Sequence, residues 1–281
     1  MLLVTKAAFI SLQSTRKEKV SKQNLPYSFY QRQGILLGLF FLLLWFVFDY
    51  TNLDYWVSAQ VFDFKNHNWI YAQNFWIKQV GYYGIKDLLI TYAILLIAMF
   101  VSSFWWQKTR PYRMILFFLI LCIALVPAEI AFLKQTFYKP RPEQVIAFGG
   151  TMPHVDLFAT LPNEPSATNW PGGHASGGAA LMSWYFIGWT YSRRWGWVGF
   201  GVGLLVSNLM GWSQILRGQH FLSHNLWTLW FAWITILLIH YLLFKKNSLA
   251  KRKRNSRYFI GSFFLQEFIL KLSKREKDRL Y

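Results

Sequence analysis

The chain has 281 residues, of which 54% are hydrophobic, 20% aromatic and only 15% charged. This composition is too apolar for a water-soluble domain of that length and indicates a membrane protein. The formal net charge of +18 would suit nucleic-acid binding, but the basic residues are divided among four separate segments, which argues against a nucleic-acid partner. The single cysteine, Cys122, excludes a disulfide within the chain.

Six apolar segments are suited to cross a bilayer, whose hydrocarbon core is about 30 Å thick. We therefore predict an all-α, polytopic membrane protein with six transmembrane helices. The aromatic stretch 49–86 and the short apolar stretch 258–270 are predicted to form helices at the membrane interface. The predicted spans are 34–48, 87–106, 114–133, 175–191, 195–212 and about 225–244.

Most of the lysines and arginines lie in 1–33, 107–113, 192–194 and 245–281, which six spans would put on one side of the membrane. The positive-inside rule assigns that side to the cytoplasm, and the charge would also attract anionic lipids. We therefore predict a basic cytoplasmic arm (1–33), a six-span domain (34–244) and a basic cytoplasmic tail (245–281). No cleaved signal peptide is expected, and the predicted location is the cytoplasmic (inner) membrane.

Three polar stretches border the spans at the opposite, non-cytoplasmic face: 134–142, 170–174 and 214–224. Charged and imidazole groups are costly near hydrocarbon and indicate function. Because the same topology brings all three stretches to one face, we predict that they form one composite site around a phosphate.

The first stretch offers two cations. Arg141 can bind a phosphate in bidentate fashion and Lys134 can act as a point charge. Taken alone, these residues are better explained as basic side chains that extend to the membrane surface at a helix end. Lys139, in the same turn, is expected to be solvated.

In the second stretch, Gly172 and Gly173 permit close approach of an anion to the backbone at a helix N-terminus, and His174 could protonate a leaving oxygen. The alternative is an ordinary turn before a helix that a histidine caps.

The third stretch holds His220 and His224, four residues apart and expected on one helical face. One imidazole could attack phosphorus while the other orients it. A metal pair is a weaker interpretation, since no other ligands are obvious, and two interfacial histidines without a role are the remaining alternative.

These residues together resemble the three-part signature of the type-2 phosphatidic acid phosphatase superfamily. The resemblance covers roughly residues 85–244. It rests on Lys134 and Arg141-Pro142, on Pro171 to His174, and on the segment from Ser213 through His220 to position 224. Members are six-helix membrane phosphatases, similar in site to vanadium haloperoxidases. The resemblance implies a metal-free phosphohistidine mechanism without a cofactor: His220 attacks phosphorus, His174 protonates the leaving group, and Lys134, Arg141 and the Gly172 and Gly173 amides hold the phosphoryl oxygens.

Three positions depart from the family pattern: Gly172 replaces a serine, Gln214 an arginine and His224 an aspartate. Arg217 lies three residues along the expected helix from Gln214, a helical rise of about 4.5 Å. Its long side chain could span this gap and supply the missing cation. A neutral His224 could orient His220, although it would stabilise an imidazolium less than a carboxylate does.

The resulting prediction is a lipid phosphate or pyrophosphate phosphatase that acts at the outer face, with the loop 143–170 as a lid over the headgroup. Its partners would be the lipid phosphate and the bilayer. The candidate substrates are undecaprenyl pyrophosphate, phosphatidylglycerophosphate, phosphatidate and the phosphates of lipid A. The alternatives are a lipid phosphotransferase using the same site and a protein that binds or transports an anionic lipid without chemistry.

Overall fold

The computed structural model describes residues 25–137, 139–159 and 168–245. In chain order its elements are α1 (Tyr27–Tyr50), α2 (Leu53–Ala59), β1 (Phe62–Asp63), β2 (Asn68–Trp69), a π-helical segment (Trp76–Gly84) continuing into α3 (Ile85–Ser102), a 3-10 turn (Arg110–Tyr112) continuing into α4 (Arg113–Thr136), the 3-10 turns Pro142–Gln144 and Ile146–Phe148, α5 (Gly173–Ala180), a 3-10 turn (Leu181–Ser183), α6 (Trp184–Trp189), α7 (Arg193–Ile215) and α8 (Leu222–Lys245). The chain divides into two compact units, Met1–Ile239 and His240–Tyr281, and all contacts below lie within the first.

The predicted helical membrane fold is confirmed, but a count of six spans is not. Five described helices are long and apolar enough to cross a membrane: Tyr27–Tyr50, Trp76–Ser102, Arg110–Thr136, Arg193–Ile215 and Leu222–Lys245. The predicted fourth span, 175–191, is instead a broken run made of α5, a 3-10 turn and α6. Adjacent glycines at 177 and 178 lower the intrinsic helix propensity of that run.

The stretch 49–86 differs from the predicted interfacial helices. It contains α2, but also an antiparallel hairpin in which Phe62 pairs with Trp69 and Asp63 with Asn68. The Asp63 carboxylate accepts hydrogen bonds from the backbone N–H groups of Lys65 and Asn66 at 2.9 and 3.1 Å. Such side-chain caps favour a turn over a helix, which explains the difference.

The broken helix packs closely against α7 through small residues. A Cβ at Gly178 would lie 2.5 Å from the Ser207 backbone nitrogen, and one at Gly203 would lie 2.2 Å from the nitrogen of Met182. The Ser207 hydroxyl donates to the carbonyl of Ala175 at 2.9 Å. Small residues thus allow the backbones to touch, as is common between membrane helices, and they fix the start of α5 against α7.

The end of α4 and the starts of α5 and α8 meet on one side of these helices. The end of α4 reaches the start of α5, where Lys134 Nζ lies 3.3 Å from the position of a Cβ at Gly173. The N–H of Gly172 donates to the carbonyl of His224 at 2.9 Å, which joins α5 to the first turn of α8. The basic turns 107–113 and 192–194 lie at the other ends of α4 and α7. The three polar stretches therefore share one face.

The described part of the 143–170 loop is packed rather than open. Val145 and Phe148 are buried against Phe62 of the hairpin and Phe221, the residue after His220. This aromatic contact fixes the first half of the loop beside the third polar stretch.

Candidate active site

The three predicted histidines form a row. His174 Nδ1 lies 3.2 Å from His220 Nε2, and His220 Nδ1 lies 3.4 Å from His224 Nδ1. His220 and His224 are 1% and 3% exposed, so water does not compete for these contacts. The second and third polar stretches therefore meet, as the sequence predicted.

The row favours one arrangement of protons. The His224 ring also donates to the backbone carbonyl of Asn169, so its Nδ1, which faces His220, is the nitrogen left to accept. His220 Nδ1 then carries the proton, and its Nε2 keeps a free lone pair directed at His174. An imidazole fixed this way is suited to attack an electrophile. The prediction that both histidines lie on one helix is wrong, because α8 begins at Leu222, after His220.

The cations of the first stretch lie beside this row. Lys134 Nζ occupies the space that a side chain at Gly173 would fill. Arg141 forms an ion pair with Glu143 at 2.6 Å and donates from Nη1 to Gln219 Oε1 at 2.8 Å. Within the described residues its buried Nε has no partner. An unpaired guanidinium donor is suited to an anion that enters the site.

Gly172 and Gly173 occupy the predicted helix start, but their amides are not equivalent. The N–H of Gly172 is already hydrogen-bonded to the His224 carbonyl. The conformation of this structure therefore leaves the Gly172 amide unavailable to a phosphoryl oxygen. Gly173 is the first residue of α5, where N–H groups have no partner within the helix.

The side chains of Gln214 and Arg217 are in contact, but the two residues do not lie on one helix as predicted. Helix α7 ends at Ile215, so Arg217 lies in the following turn, where Gly218 has a φ of +73°, rather than on the same helix. Arg217 donates from Nη1 to Gln214 Oε1 at 3.5 Å and from Nε to the carbonyl of Ala72 at 3.4 Å. The buried Gln214 also donates to the Ser213 hydroxyl at 3.1 Å.

Burial and nearby cations keep the reactive imidazoles neutral. Burial, together with Lys134 and Arg217, lowers the pKa of His174 to about 4. Burial and the neighbouring imidazoles of His224 and His174 hold the pKa of His220 well below its usual range. Because cations dominate the surroundings, the site favours an anion.

Lys139 contradicts the expectation of a solvated side chain. It is 4% exposed, and its Nζ donates to the carbonyls of Asp156 and of Ala159, the latter at 2.8 Å. Burial lowers the pKa of Lys139 to about 8, although Asp49 and Asp156 raise it. Lys139 thus ties the loop together, and it is not a solvated surface residue.

The gap between His174 and His220 is too narrow for a phosphoryl group. A nucleophile approaches its target to about 3–3.5 Å before reaction, which is already the full 3.2 Å separation of the two nitrogens. His174 must therefore turn aside, or the adjoining segments must part, when a substrate enters.

An apolar cavity of about 390 Å³ leads from His174 between α3, α4 and α5. Its polar lining includes Tyr82 and Lys86, and the Tyr82 ring contacts His174 with centroids 4.7 Å apart. Tyr82 is not predicted as a site residue from the sequence, because the aromatic stretch 49–86 is expected to lie at the membrane interface. Glu143 and Gln219 are not predicted either, although each lies next to a residue of the signature.

No cluster of three or more His, Cys, Asp or Glu side chains that could hold a metal ion occurs within the described ranges. Glu129, a possible functional carboxylate inside α4, accepts a hydrogen bond from Thr235 of α8. This contact makes Glu129 a structural partner between the two helices.

The fold and the site define a helical membrane protein with imidazoles and cations gathered at one face. Residues 115–248 match the PAP2 superfamily. A lipid A 4'-phosphatase of Francisella tularensis subsp. novicida (strain U112) is 22% identical over 222 residues, covering 77% of this chain and 98% of that protein. No solved structure matches the chain.

Proposed function

We propose that the protein is a metal-independent lipid phosphate phosphatase that works through a phosphohistidine intermediate. The superfamily and the lipid A 4'-phosphatase relative support a phosphatase acting on lipids. The observation that carries the mechanism is the row of imidazoles, in which the His220 ring lies between His174, on its Nε2 side, and His224, on its Nδ1 side.

In the proposed first step, His220 Nε2 attacks phosphorus, a P–N bond forms, and the P–O bond to the lipid breaks. A protonated His174 gives its proton to the departing lipid oxygen. The positive charge that develops on the His220 ring is shared with the neutral His224, which accepts a hydrogen bond from His220 Nδ1. Lys134, Arg141 and Arg217 would stabilise the phosphoryl oxygens.

In the second step, a water molecule attacks the phosphorus of the phosphohistidine and gives a proton to His174. The P–N bond breaks, and inorganic phosphate leaves with His220 restored. Neutral His174 is suited to accept this proton, and the nearby phosphate dianion would favour its charged form for the next turnover.

The apolar cavity beside His174 supports a lipid substrate. Leu89, Ile90, Ala93 and Ile123 line it, so a hydrocarbon chain could lie there while the phosphate contacts the histidines. The relative acts on lipid A, and a glycolipid phosphomonoester is therefore the first substrate to test.

The basic turns 107–113 and 192–194 support an outward-facing site in the cytoplasmic membrane. They lie at the ends of α4 and α7 opposite the histidines, and the positive-inside rule assigns such turns to the cytoplasm. On this basis the site faces the periplasm and both termini are cytoplasmic. Most of the predicted basic arm and tail, and the predicted interfacial stretch 258–270, lie outside the described residues.

The decisive experiment measures phosphate release by the full chain, purified in detergent, from lipid A, phosphatidate, phosphatidylglycerophosphate and undecaprenyl pyrophosphate. His220→Ala should lower the rate by roughly a thousandfold or more, whereas His67→Ala, an exposed histidine of the hairpin, should not. A chelator should have no effect on the rate.

Three outcomes would contradict the proposal. No release from any of these lipids would favour an anionic-lipid binding or transport protein. Phosphate that appears on a second lipid rather than in water would indicate a phosphotransferase. Loss of activity with the chelator would revive the metal interpretation.

A further inference from the structure

The carboxamide of Asn225 lies buried next to the site without a hydrogen bond. Asn225 is 6% exposed, belongs to the first turn of α8 and directly follows His224. Neither its Nδ2 nor its Oδ1 has a partner among the residues that the structure describes. Buried amide groups are nearly always hydrogen-bonded, so an unpaired one beside a row of site histidines indicates a ligand.

Two glycines make the room that this carboxamide occupies. A Cβ on Gly172 would lie 2.5 Å from Asn225 Oδ1, and a Cβ on Gly211 of α7 would lie 2.8 Å from Asn225 Nδ2. Carbon atoms do not approach polar atoms this closely, so a side chain at either position would displace the carboxamide. Asn225 therefore fills the space that a side chain at position 172 would take.

That space adjoins the phosphoryl site. Gly172 precedes α5 and lies two residues before His174, and its N–H is bonded to the His224 carbonyl. The Thr228 hydroxyl contacts the carbonyls of both Gly172 and His224, at 3.0 and 2.9 Å, and so holds the two segments together. Rotation of the carboxamide by 180° exchanges its donor and acceptor within the same space. Nδ2 can thus face the Gly172 side.

We propose that Asn225 is a further phosphate-binding residue, whose Nδ2 donates to a phosphoryl oxygen in place of a side chain at position 172. The inference rests on the proposed function and adds a donor to it. Such a donor compensates for the Gly172 N–H, which is already engaged by His224. Hydrogen bonds to a charged acceptor are stronger than neutral ones, so the contact would favour the bound anion.

The test compares inorganic phosphate binding, by calorimetry and by product inhibition, for the full chain in detergent. Asn225→Ala should weaken phosphate binding roughly 10- to 100-fold. Asn225→Asp, which is nearly isosteric but anionic, should weaken it further. Asn208→Ala is the matched control, because the Asn208 amide on α7 bonds to the Leu204 carbonyl of its own helix.

A second pair of variants separates phosphate binding from packing. Gly172→Ser alone should lose phosphate affinity, because its Cβ meets the Asn225 carboxamide. Combining Gly172→Ser with Asn225→Ala should restore part of that affinity, since the hydroxyl then takes the vacated space. Combining Gly172→Ala with Asn225→Ala relieves the same contact without supplying a hydroxyl, so a purely structural role for Asn225 would predict equal recovery in the two double variants.

The outcomes are distinguishable from failure of the proposed function. If the wild type hydrolyses no lipid but Asn225→Ala weakens phosphate binding, the proposed function fails and the inference stands. If Asn225→Ala and Asn225→Asp bind phosphate as the wild type does, Asn225 holds only a buried water or a helix contact, and the inference is wrong. Melting temperatures show whether Asn225→Ala folds. If it does not, Asn225→Asp serves as the test.

Discussion

The side-chain oxygen of Gln219 accepts a hydrogen bond from Nη1 of Arg141 at 2.8 Å. Glu143 completes a closed triangle, since it forms the ion pair with Arg141 and accepts from Gln219 Nε2 at 2.6 Å. Gln219 is the residue before His220, so this triangle joins the cation of the first stretch to the nucleophile of the third. The side chains of Arg141 and Glu143 are each about one-third exposed. Because exposed ion pairs contribute little to stability, the triangle serves mainly to orient Arg141.

Gln219→Ala should therefore impair phosphate recognition more than folding. Without its carboxamide, the Arg141 guanidinium loses one of two side-chain contacts that orient it. We expect KM for a lipid phosphate to rise about tenfold, with a melting temperature within a few degrees of the wild type. Gln60→Ala, which removes an exposed glutamine of the α2 end, is the control. A large fall in melting temperature with unchanged KM would contradict the orienting role.

Arg217→Ala and Gln214→Ala test whether Arg217 provides the missing cation. Arg217 contacts Gln214 and acts electrostatically on His174, which indicates that its charge reaches the site. We expect Arg217→Ala to lower kcat/KM at least about tenfold, and Gln214→Ala to have a smaller effect. Steady-state kinetics on the best lipid substrate gives both values. Small and equal effects would remove Arg217 from the site.

Sequence order and residue chemistry were enough to predict which stretches meet. The motifs with Lys134, His174 and His220 are each tied to a helix end, and helix ends of a membrane protein can lie on only two sides. Helix boundaries were less predictable, because His220 and Arg217 lie in turns that the periodicity of apolar residues does not mark. The approach of the two histidines depends on the turn before α8 rather than on a shared helical face.

The contacts between residues far apart in the chain could not be predicted from the sequence. Nothing local to Asn225 shows that it fills the space beside Gly172, and nothing local to Lys139 shows that it is buried under a loop. Both depend on backbone positions set by packing among several helices. The hairpin at 62–69 was missed for a different reason, since two short strands lack the alternation that a longer strand shows.

Ala93→Phe should separate lipid substrates from small ones. Ala93 lines the apolar cavity beside His174, and a phenyl ring there would fill part of its volume of about 390 Å³. We expect KM to rise for a long-chain lipid phosphate but not for a short-chain, water-soluble phosphomonoester, which does not need the cavity. Kinetics with both substrates tests this. Equal effects on the two would show that the hydrocarbon chain lies elsewhere.

Phosphate binding should be accompanied by proton uptake at His174. Since the pKa of the empty-site imidazole is about 4, His174 is neutral at about pH 8, where free phosphate is a dianion. A bound dianion favours the imidazolium and raises that pKa, so binding takes a proton from solution. Calorimetry in buffers of different ionisation enthalpy measures the uptake. His174→Asn should abolish it, and unchanged uptake in that variant would assign the proton to another group.

Asp54 ties the start of α8 to α2. Its carboxylate accepts from the Ser223 backbone N–H at 2.9 Å, and it also bonds the Ser223 side chain and the Leu222 backbone. It thus caps the helix that follows His220, as carboxylates at helix N-termini commonly do. Burial nevertheless raises the pKa of Asp54 to about 6, against the opposing effect of these hydrogen bonds.

This pKa predicts that Asp54 makes the folded state less stable as the pH rises from about 4 to above 6. In that window the folded protein holds a proton that the unfolded chain, with an ordinary aspartate pKa of 3.8, has released. His174, whose pKa is lowered, acts in the opposite direction, so the informative quantity is the difference in melting temperature between the wild type and Asp54→Asn. The melting temperature of the wild type relative to this variant should fall by several degrees across the window. Asp63→Asn is the control: hydrogen bonds from Asn66 lower the pKa of Asp63 below its ordinary value of 3.8, so the difference between the wild type and this variant should stay nearly flat across the window and change only at lower pH. If the difference between the wild type and Asp54→Asn were constant with pH, Asp54 would titrate as an ordinary exposed carboxylate, and its role as a buried cap of α8 would be wrong.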